Sequence, residues 1–472
     1  MNLSKLISTP RIARSVALAA GLGLVAAQLT GCSSTAPSTA TTPIASQAVS
    51  VPVLITDAPS DQLVAFSLTL NSIILTDSAG KTASILSTPT TIEICHLNGI
   101  QQALITASVP EDTYVSALIA FSDPQITYID SSGQPVVASP VLATTSYTAA
   151  FASPIVIANS SSSLLFDLLA AQSVAISGST VTVTPIFSVK AVPSATAVPT
   201  PGQNGSGMQQ IGAVVSVSGT TLVIEPGNGP NITLTTNSST VLQGFSSLSA
   251  LVAGDLVQVD FIVETGGVLL ATRIQLAPSN PGGQPPNLLD GPVTAVTAGS
   301  GFKMALMQGL GPALSPTAAG TIYTIATTAS TTFAITPQFV SLSGLPFTPA
   351  FTAATLAPGQ TVSVIASSVS TTAATAAATS VYLIPQTIAG TVTAIATSGA
   401  YTVYTFTLAS GSAFASLSGA STVTVYTSTS TVGMSAAPIA VGSQVRFNGL
   451  IFNTSGTFKM VAAVCPDGAP GV

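Results

Sequence analysis

Three stretches in the C-terminal half of the sequence carry the same markers in the same order, which indicates one structural unit repeated three times. Each opens with a glycine and an alternating apolar pattern, continues to a Thr-rich segment ending in Ser-Thr, and resumes alternation after a second glycine. The opening glycines are Gly212, Gly291 and Gly390, and the second glycines are Gly254, Gly359 and Gly442. We therefore predict repeats at 211–277, 291–385 and 388–465, with extra residues in the middle unit near 309–319 and 338–351.

The fold class predicted for the whole chain is all-β. Alternation of apolar and polar residues, as in Phe66-Ser-Leu-Thr-Leu, recurs between short turn sequences, and helix signals are nearly absent apart from one turn near 100–106. Segment 49–192 is predicted to form a β-sandwich. The three repeats are predicted to form small antiparallel β-barrels, because closure of a sheet removes its exposed edges.

Three Ser-, Thr-, Pro- and Gly-rich stretches divide the chain. Residues 32–48 predict a flexible stalk, and residues 193–210 and 278–290 predict linkers on either side of the first repeat. This organisation places the sandwich closest to the N-terminal segment and the repeats after it.

The N-terminal segment, residues 1–31, has the pattern of a secretory signal peptide. Basic residues precede an apolar run at 16–27, which suits a signal peptide and is too short to span a bilayer. The run ends in Leu29-Thr30-Gly31-Cys32, which resembles the bacterial lipobox, where a lipid is attached to the cysteine. This resemblance implies an envelope protein held in a membrane by lipid on Cys32, and Ser33 favours the outer membrane. The alternative is an ordinary signal peptide with an incidental cysteine.

Motifs in the first segment resemble a bacterial domain of unknown function that is found in lipoproteins. They are Thr56-Asp-Ala-Pro, Pro110-Glu-Asp-Thr-Tyr114 and the strand pattern Val183-Thr-Pro-Ile-Phe. The chain departs from that family at Asp112 and Thr184, where the family has Gly and Lys. The repeats resemble a second family of unknown function, with Gly-x-Val-x-x-Val barrel units. Neither resemblance implies a catalytic residue or a cofactor.

The charge of the chain argues against a nucleic-acid partner. Removal of the signal segment takes away three of the nine Lys and Arg residues and none of the 15 acidic ones, which leaves a formal net charge of −9. Nucleic-acid binding depends on basic side chains that neutralise phosphates. An apolar fraction of 47% is ample for packed cores, and no stretch after the signal predicts a transmembrane helix.

Catalytic chemistry has few candidates, because His96 is the only histidine. It follows Cys95 in a segment, 91–97, that is predicted to be a strand. Adjacent strand residues point to opposite faces, so the two are not expected to form a dyad. We interpret His96 as a polar residue at a strand end. One histidine and distant cysteines do not supply the three or four ligands of a zinc site, so no metal or cofactor site is predicted.

The carboxylate pairs are weak candidates as well. Asp57 and Asp61 could share a cation, although turn or cap roles are favoured. Asp255 and Asp260 are expected on opposite faces of one strand, which suits paired carboxylates poorly. Glu111 and Asp112 are interpreted as a solvated turn, and Gly205-x-Gly207 as linker rather than a phosphate loop.

Two thiols remain if Cys32 carries lipid, those of Cys95 and Cys465. An oxidising envelope favours pairing, but the two lie in different segments, and cysteine is commonly buried as a small apolar residue. We therefore expect both to be unpaired and mostly buried.

The function expected from the sequence is that of a non-enzymatic structural or binding module, with an envelope protein or glycan as a possible partner. A carbohydrate-binding or adhesive role is one alternative, which needs exposed aromatic side chains. A carboxylate-based hydrolase is the other, which needs two carboxylates facing one cleft.

The lipid at Cys32 gives the first testable prediction. Replacing Cys32 with Ser removes the acylated sulfur, so the protein should lose its acyl mass and leave the membrane fraction. Mass spectrometry and detergent-free fractionation measure both effects, and Cys465→Ser is the matched control. A Cys32→Ser protein that stays in the membrane fraction would show that a different anchor is at work.

Overall fold

A computed structural model describes residues 47–58, 61–97, 100–130, 132–159, 162–195, 208–226, 230–277, 286–314, 319–336, 341–431 and 439–464. The predicted signal peptide at 1–31, Cys32 and nearly all of the stalk lie outside these ranges. The described chain is almost entirely β-structure, which confirms the predicted fold class. No helix in the described part is long and apolar enough to cross a membrane.

Residues 48–193 form the sandwich, whose sheets enclose one apolar core. One sheet has the order β13-β10-β1-β5, a larger one has β3-β2-β6-β7 with β4 and β9 paired beside that path, and β11-β12-β8 form a small third sheet. A 3-10 turn spans Cys95–Leu97, and helix α1 spans Ala170–Ser173. The strands are β1 (Ala48–Ala58), β2 (Leu63–Asp77), β3 (Thr82–Leu86), β4 (Thr90–Glu93), β5 (Gln102–Pro110), β6 (Asp112–Ile129), β7 (Pro135–Ala138), β8 (Val141–Leu142), β9 (Ser146–Ile157), β10 (Ser162–Leu169), β11 (Val174–Ser177), β12 (Thr180–Val183) and β13 (Phe187–Pro193).

Three barrels follow the sandwich. The first barrel contains β14 (Gln209–Ser218), β15 (Thr221–Glu225), β16 (Ile232–Thr235), β17 (Val241–Gln243), a 3-10 turn (Leu248–Ala250), β18 (Leu256–Glu264) and β19 (Val268–Leu276). The second contains β20 (Asn287–Thr297), β21 (Gly301–Ala305), β22 (Gln308–Leu310), β23 (Ile322–Ala326), β24 (Thr332–Ile335), β25 (Thr361–Ser370) and β26 (Thr375–Leu383). The third contains β27 (Gln386–Ser398), β28 (Tyr401–Leu408), α2 (Ala413–Ser418), β29 (Thr422–Thr427), β30 (Gln444–Thr454) and β31 (Thr457–Val464).

Five strands of each barrel form a ring with one pairing scheme, and β17, β22 and β24 pair beside these rings. The first ring strand pairs with the second and the fourth, the second pairs with the third, and the fifth pairs with the fourth. A parallel pairing between the third and fifth strands closes the ring, as in β16–β19, β23–β26 and β29–β31. The closure of the first barrel rests on one residue pair, Thr235 with Leu270. A five-stranded ring in this order has the topology of the OB-fold.

The glycines that mark the repeats occupy equivalent positions. At Gly254, Gly359 and Gly442 φ is 93°, 90° and 91°, a backbone conformation that favours glycine. Their N–H groups donate to the carbonyls of Val214, Val293 and Val392 in the first ring strand, each at 2.8 Å. At Gly212, Gly291 and Gly390 a Cβ atom would collide with a carbonyl oxygen of the second strand, at Glu225, Ala305 and Thr407 respectively. The predicted equivalence of the two glycine sets is confirmed.

The Ser-Thr signature forms the turn after the third ring strand. In the second barrel, Thr331 Oγ1 accepts a hydrogen bond from Thr328 N at 2.9 Å and donates to the carbonyl of Ala378, in the fifth strand, at 3.0 Å. Thr240 and Thr431 make the same two bonds in the first and third barrels. One hydroxyl therefore fastens this turn to the last strand in every barrel.

Two local predictions are corrected by the structure. Strand β20 begins at Asn287, inside the segment 278–290 that the sequence predicted as linker, because Leu288 and Leu289 are buried in apolar contacts. The helical turn predicted near 100–106 falls in strand β5, and the 3-10 turn lies earlier, at Cys95–Leu97.

The four modules pack directly against one another. Leu54 and Leu165 lie on the face of the four-stranded sheet that points away from the sandwich core, and both join the core of the first barrel. Leu450 and Phe452 of the third barrel lie in the apolar cluster of the second. Val64 of the sandwich meets Ala305 and Ala413 of the second and third barrels. The described residues between 47 and 464 form one compact unit as a result.

The repeated threonine turn gives a stability prediction. Thr331→Val keeps the shape of the side chain and removes both hydrogen bonds, so the free energy of unfolding should fall by about 1–2 kcal/mol. Thr324→Val is the matched control, because Thr324 is exposed on β23 of the same barrel. Denaturant unfolding of the full chain measures both, and equal losses would show that the turn bond does not stabilise the barrel.

Candidate functional site

The Glu93 carboxylate is held by the backbone where β4 ends. Its Oε1 accepts hydrogen bonds from the N–H groups of Phe66 at 2.9 Å and Cys95 at 3.0 Å, and its Oε2 accepts one from His96 N at 2.7 Å. The bonds from Cys95 and His96 form because the chain leaves the strand at Glu93 and enters the 3-10 turn, so that these two N–H groups point back at the side chain. The prediction that Cys95 and His96 continue a strand is therefore wrong.

The same carboxylate orients the imidazole of His96. Nδ1 of His96 lies 3.0 Å from Oε2 of Glu93, and the two side chains are 11% and 8% exposed. Burial lowers the pKa of His96, but the hydrogen bond and the charge of Glu93, with smaller contributions from Gln102 and Asp290, raise it above its ordinary value. Nε2 is buried and has no hydrogen-bond partner.

Asp57 lies nearby at the end of β1 and is 6% exposed. Neither of its carboxylate oxygens has a partner with hydrogen-bond geometry. Burial raises the pKa of Asp57 well above its ordinary value, the negative charges of Asp167 and Glu93 raise it further, and Arg446 opposes them. The pairing of β1 with β10 places Asp167 opposite Thr56, on the face of the sheet that carries Leu54 and Leu165, whereas Asp57 lies opposite Leu168 on the other face.

The second barrel contributes Asp290, which is 6% exposed. Burial raises its pKa to about 6, while a hydrogen bond with Ser363 and the charge of His96 lower it. Asp57, Glu93, His96, Asp167 and Asp290, which we call the junction cluster, thus combine residues of the sandwich and the second barrel.

The junction cluster has some features of a catalytic site and lacks others. A carboxylate that orients an imidazole is one part of a nucleophile–base–orienter arrangement, and raised carboxyl pKa values suit a general acid. However, the acidic and imidazole groups are enclosed by packing between modules. In the described ranges, no three or more His, Cys, Asp and Glu side chains form a group that could hold a metal ion.

The other candidate carboxylates are separated from one another. Asp61 contacts the third barrel, where its Oδ2 accepts a hydrogen bond from Ala389 N at 3.2 Å, whereas the charges that act on Asp57 are those of Asp167, Glu93 and Arg446. Asp255 accepts a hydrogen bond from Val252 N in the turn before β18, at 2.9 Å. Asp260 forms an ion pair with Arg273 across β18 and β19, at 2.5 Å.

Glu111 accepts a hydrogen bond from Asn159 N at 2.8 Å, and Asp112 begins β6 and accepts one from Thr113 N. The thiol of Cys95 is buried and free, as expected. Cys32, Cys465 and the Gly205-x-Gly207 pair lie outside the described residues.

Sequence reasoning missed Glu93, Asp167, Asp290 and Arg446. A local signal existed only for Glu93, which lies three residues before the single histidine. Asp290 was assigned to a linker, and the other two lie in strands far along the chain from His96. Their proximity depends on how the modules pack.

A group of aromatic side chains covers the outer face of the third barrel. Phe347, from the insertion at 338–351 of the second barrel, has its ring 5.3 Å from that of Tyr426 and 5.9 Å from that of Phe452, and Lys459 Nζ lies 4.6 Å from its centre. Tyr401 donates a hydrogen bond to the carbonyl of Ser343 at 2.7 Å. The described part of the insertion, which begins at residue 341, therefore fastens the second barrel to the third.

A family model described as a domain of unknown function (DUF5666) matches residues 211–275, which is the first barrel. For the first repeat, this match agrees with the resemblance of the repeats to a family of unknown function. No curated protein matches the chain.

The anchored carboxylate gives a prediction for stability and for pKa. Glu93→Ala leaves three buried N–H groups without an acceptor, so unfolding should become easier by about 3–5 kcal/mol. The pKa of His96 should fall, because Glu93 supplies the largest contribution that raises it. Urea unfolding and histidine NMR measure the two effects, with Glu225→Ala, at the exposed end of β15, as control.

In the parent protein, the stabilisation from His96 is complete below the ordinary pKa near 6.5 and is lost as the pH rises through the raised value in the folded state. An unchanged histidine pKa in Glu93→Ala would contradict this account.

Proposed function

We propose that the chain is held in the bacterial envelope, at the outer membrane, by lipid on Cys32. It acts there as a non-enzymatic structural or binding module. The observation that supports this most is the position of the junction cluster. Its acidic and imidazole groups lie between modules, where Asp57, Glu93 and Asp290 are 6%, 9% and 6% exposed. Groups placed in this way lie in contacts between modules and have little contact with a substrate.

The build of the chain supports the same proposal. Three closed barrels and a sandwich packed into one unit give a compact body that the predicted stalk would hold off a membrane. Its partner in the envelope would be a protein or a glycan. The N-terminal motifs that resemble a domain of unknown function in lipoproteins agree with the proposed location.

The carbohydrate-binding alternative needs aromatic rings that a sugar can reach. On the outer face of the third barrel, Tyr401 and Tyr426 are 4% and 7% exposed, because residues 341–351 lie over them. A sugar could stack there only after this segment moved. The observation weakens that alternative.

The hydrolase alternative has one observation in its favour, which is that carboxylates do converge near His96 with raised pKa values. Asp290→Asn separates it from our proposal. The substitution keeps the shape of the side chain and removes a charge whose burial is unfavourable, so the fold should be retained. In the bacterium that encodes the chain, Asp290→Asn should restore the envelope integrity of a deletion strain as fully as the unaltered chain does.

The detergent sensitivity of the complemented cells is the measurement. Cys32→Ser serves as the comparison and should fail to restore integrity, because the protein would no longer be held at the membrane. If an Asp290→Asn protein that is folded and in the membrane fraction failed to complement, a carboxylate-dependent reaction would be favoured.

A further inference from the structure

The turn at Asp61 and Gln62 inserts into a notch on the third barrel. The main-chain carbonyl of Asp61 accepts a hydrogen bond from Ala413 N at 2.5 Å, and its Oδ2 accepts one from Ala389 N at 3.2 Å. A Cβ atom at Gly411 would lie 3.1 Å from the side-chain nitrogen Nε2 of Gln62, and φ of Gly411 is +83°. The notch therefore admits this turn because a glycine lines it.

The Asp61 carboxyl enters the notch without a positive partner. Ser412, which is fully buried, supplies a side-chain hydrogen bond to it, and no Lys, Arg or His in the described ranges forms an ion pair with it. Arg446 lies opposite Ala389 in the pairing of β27 with β30, but its charge acts on Asp57. The half-buried carboxylate has lost part of its water and gained only two neutral donors.

We propose that the docking of the third barrel onto the sandwich is linked to protonation of Asp61, with the barrel held in place by the neutral acid and released from this contact by the carboxylate.

The electrostatics agree in direction with this geometry. Burial raises the pKa of Asp61 to about 7, although the hydrogen bonds from Ser412 and Ala389 lower it. A group whose pKa is raised in the docked state contributes its full stabilisation below its ordinary pKa, near 4 for aspartate. That stabilisation is lost as the pH rises from there to about 7, and docking changes little above that pH.

The apolar contacts of the third barrel with its two neighbours determine which interface opens when Asp61 ionises. Between the sandwich and the third barrel, the buried apolar contact is small and involves Val64 and Ala413, together with Ala305 of the second barrel. Between the second and third barrels it is larger and includes Leu450, Phe452 and Val461. Ionisation of Asp61 therefore frees the third barrel from the sandwich while it stays on the second barrel.

Amide hydrogen exchange, resolved by residue in the full chain, tests the proposal. The amides of Ala389 and Ala413 report docking, because both donate to Asp61, and the amide of Gly442, which donates to Val392 inside the third barrel, reports folding of the barrel. Asp61→Asn supplies a neutral side chain of the same shape. Comparing variants at equal pH cancels the intrinsic pH dependence of exchange.

Between pH 5 and pH 8, exchange at Ala389 and Ala413 in the unaltered chain should rise on the order of 10- to 100-fold relative to Asp61→Asn. Exchange at Gly442 should stay slow in both. Asp255→Asn, in an exposed turn of the first barrel, should follow the unaltered chain. Ser412→Ala removes a bond that lowers the pKa, so its transition should end at a higher pH.

The same pH profile in Asp61→Asn as in the unaltered chain would overturn the proposal, as would loss of protection at Gly442 together with the docking amides. Should Asp61→Asn fail to fold, the shift of the transition in Ser412→Ala decides, and an unshifted transition there would equally overturn it.

Discussion

Closure of each barrel by a parallel pairing between its third and fifth strands is the constraint on which the rest of the structure depends. A chain with 5% charged residues has few of the surface charges that keep open sheet edges from pairing with other molecules. Closing the ring removes those edges. The threonine-anchored turn acts at this closure, because it ties the exit of the third strand to the fifth, and the left-handed glycines tie the entry of the fourth strand to the first elsewhere in the ring.

Closed barrels still have apolar outer faces, and these determine how the modules assemble. The four-stranded sheet of the sandwich is covered on both sides, by its own core and by the first barrel. The insertion in the second barrel covers the aromatic face of the third. A chain that appears in its sequence as separate units joined by linkers therefore forms one body, with the buried acidic residues at its junctions.

The sequence predicted those parts of the fold that depend on local geometry. Gly254 and Gly442 could be matched because each repeat needs a left-handed residue at one turn, and the need is visible at fixed spacing. The junction cluster could not be predicted, because Asp290 and His96 lie about 200 residues apart and meet only through packing between modules. Near His96 the predicted strand was wrong, because the Glu93 carboxylate accepts hydrogen bonds from the N–H groups of Cys95 and His96 and the strand ends there.

The distribution of the acidic residues connects assembly with pH. Five of the 15, namely Asp57, Asp61, Glu93, Asp167 and Asp290, lie at the junctions, and the charge of Arg446 acts on Asp57. Burial raises the pKa values of Asp57, Asp61 and Asp290, and Glu93 raises that of His96. Each of these shifts makes the folded form bind protons more tightly than the unfolded chain. Because all four shifts have the same direction, the folded chain should be most stable on the acid side of neutrality.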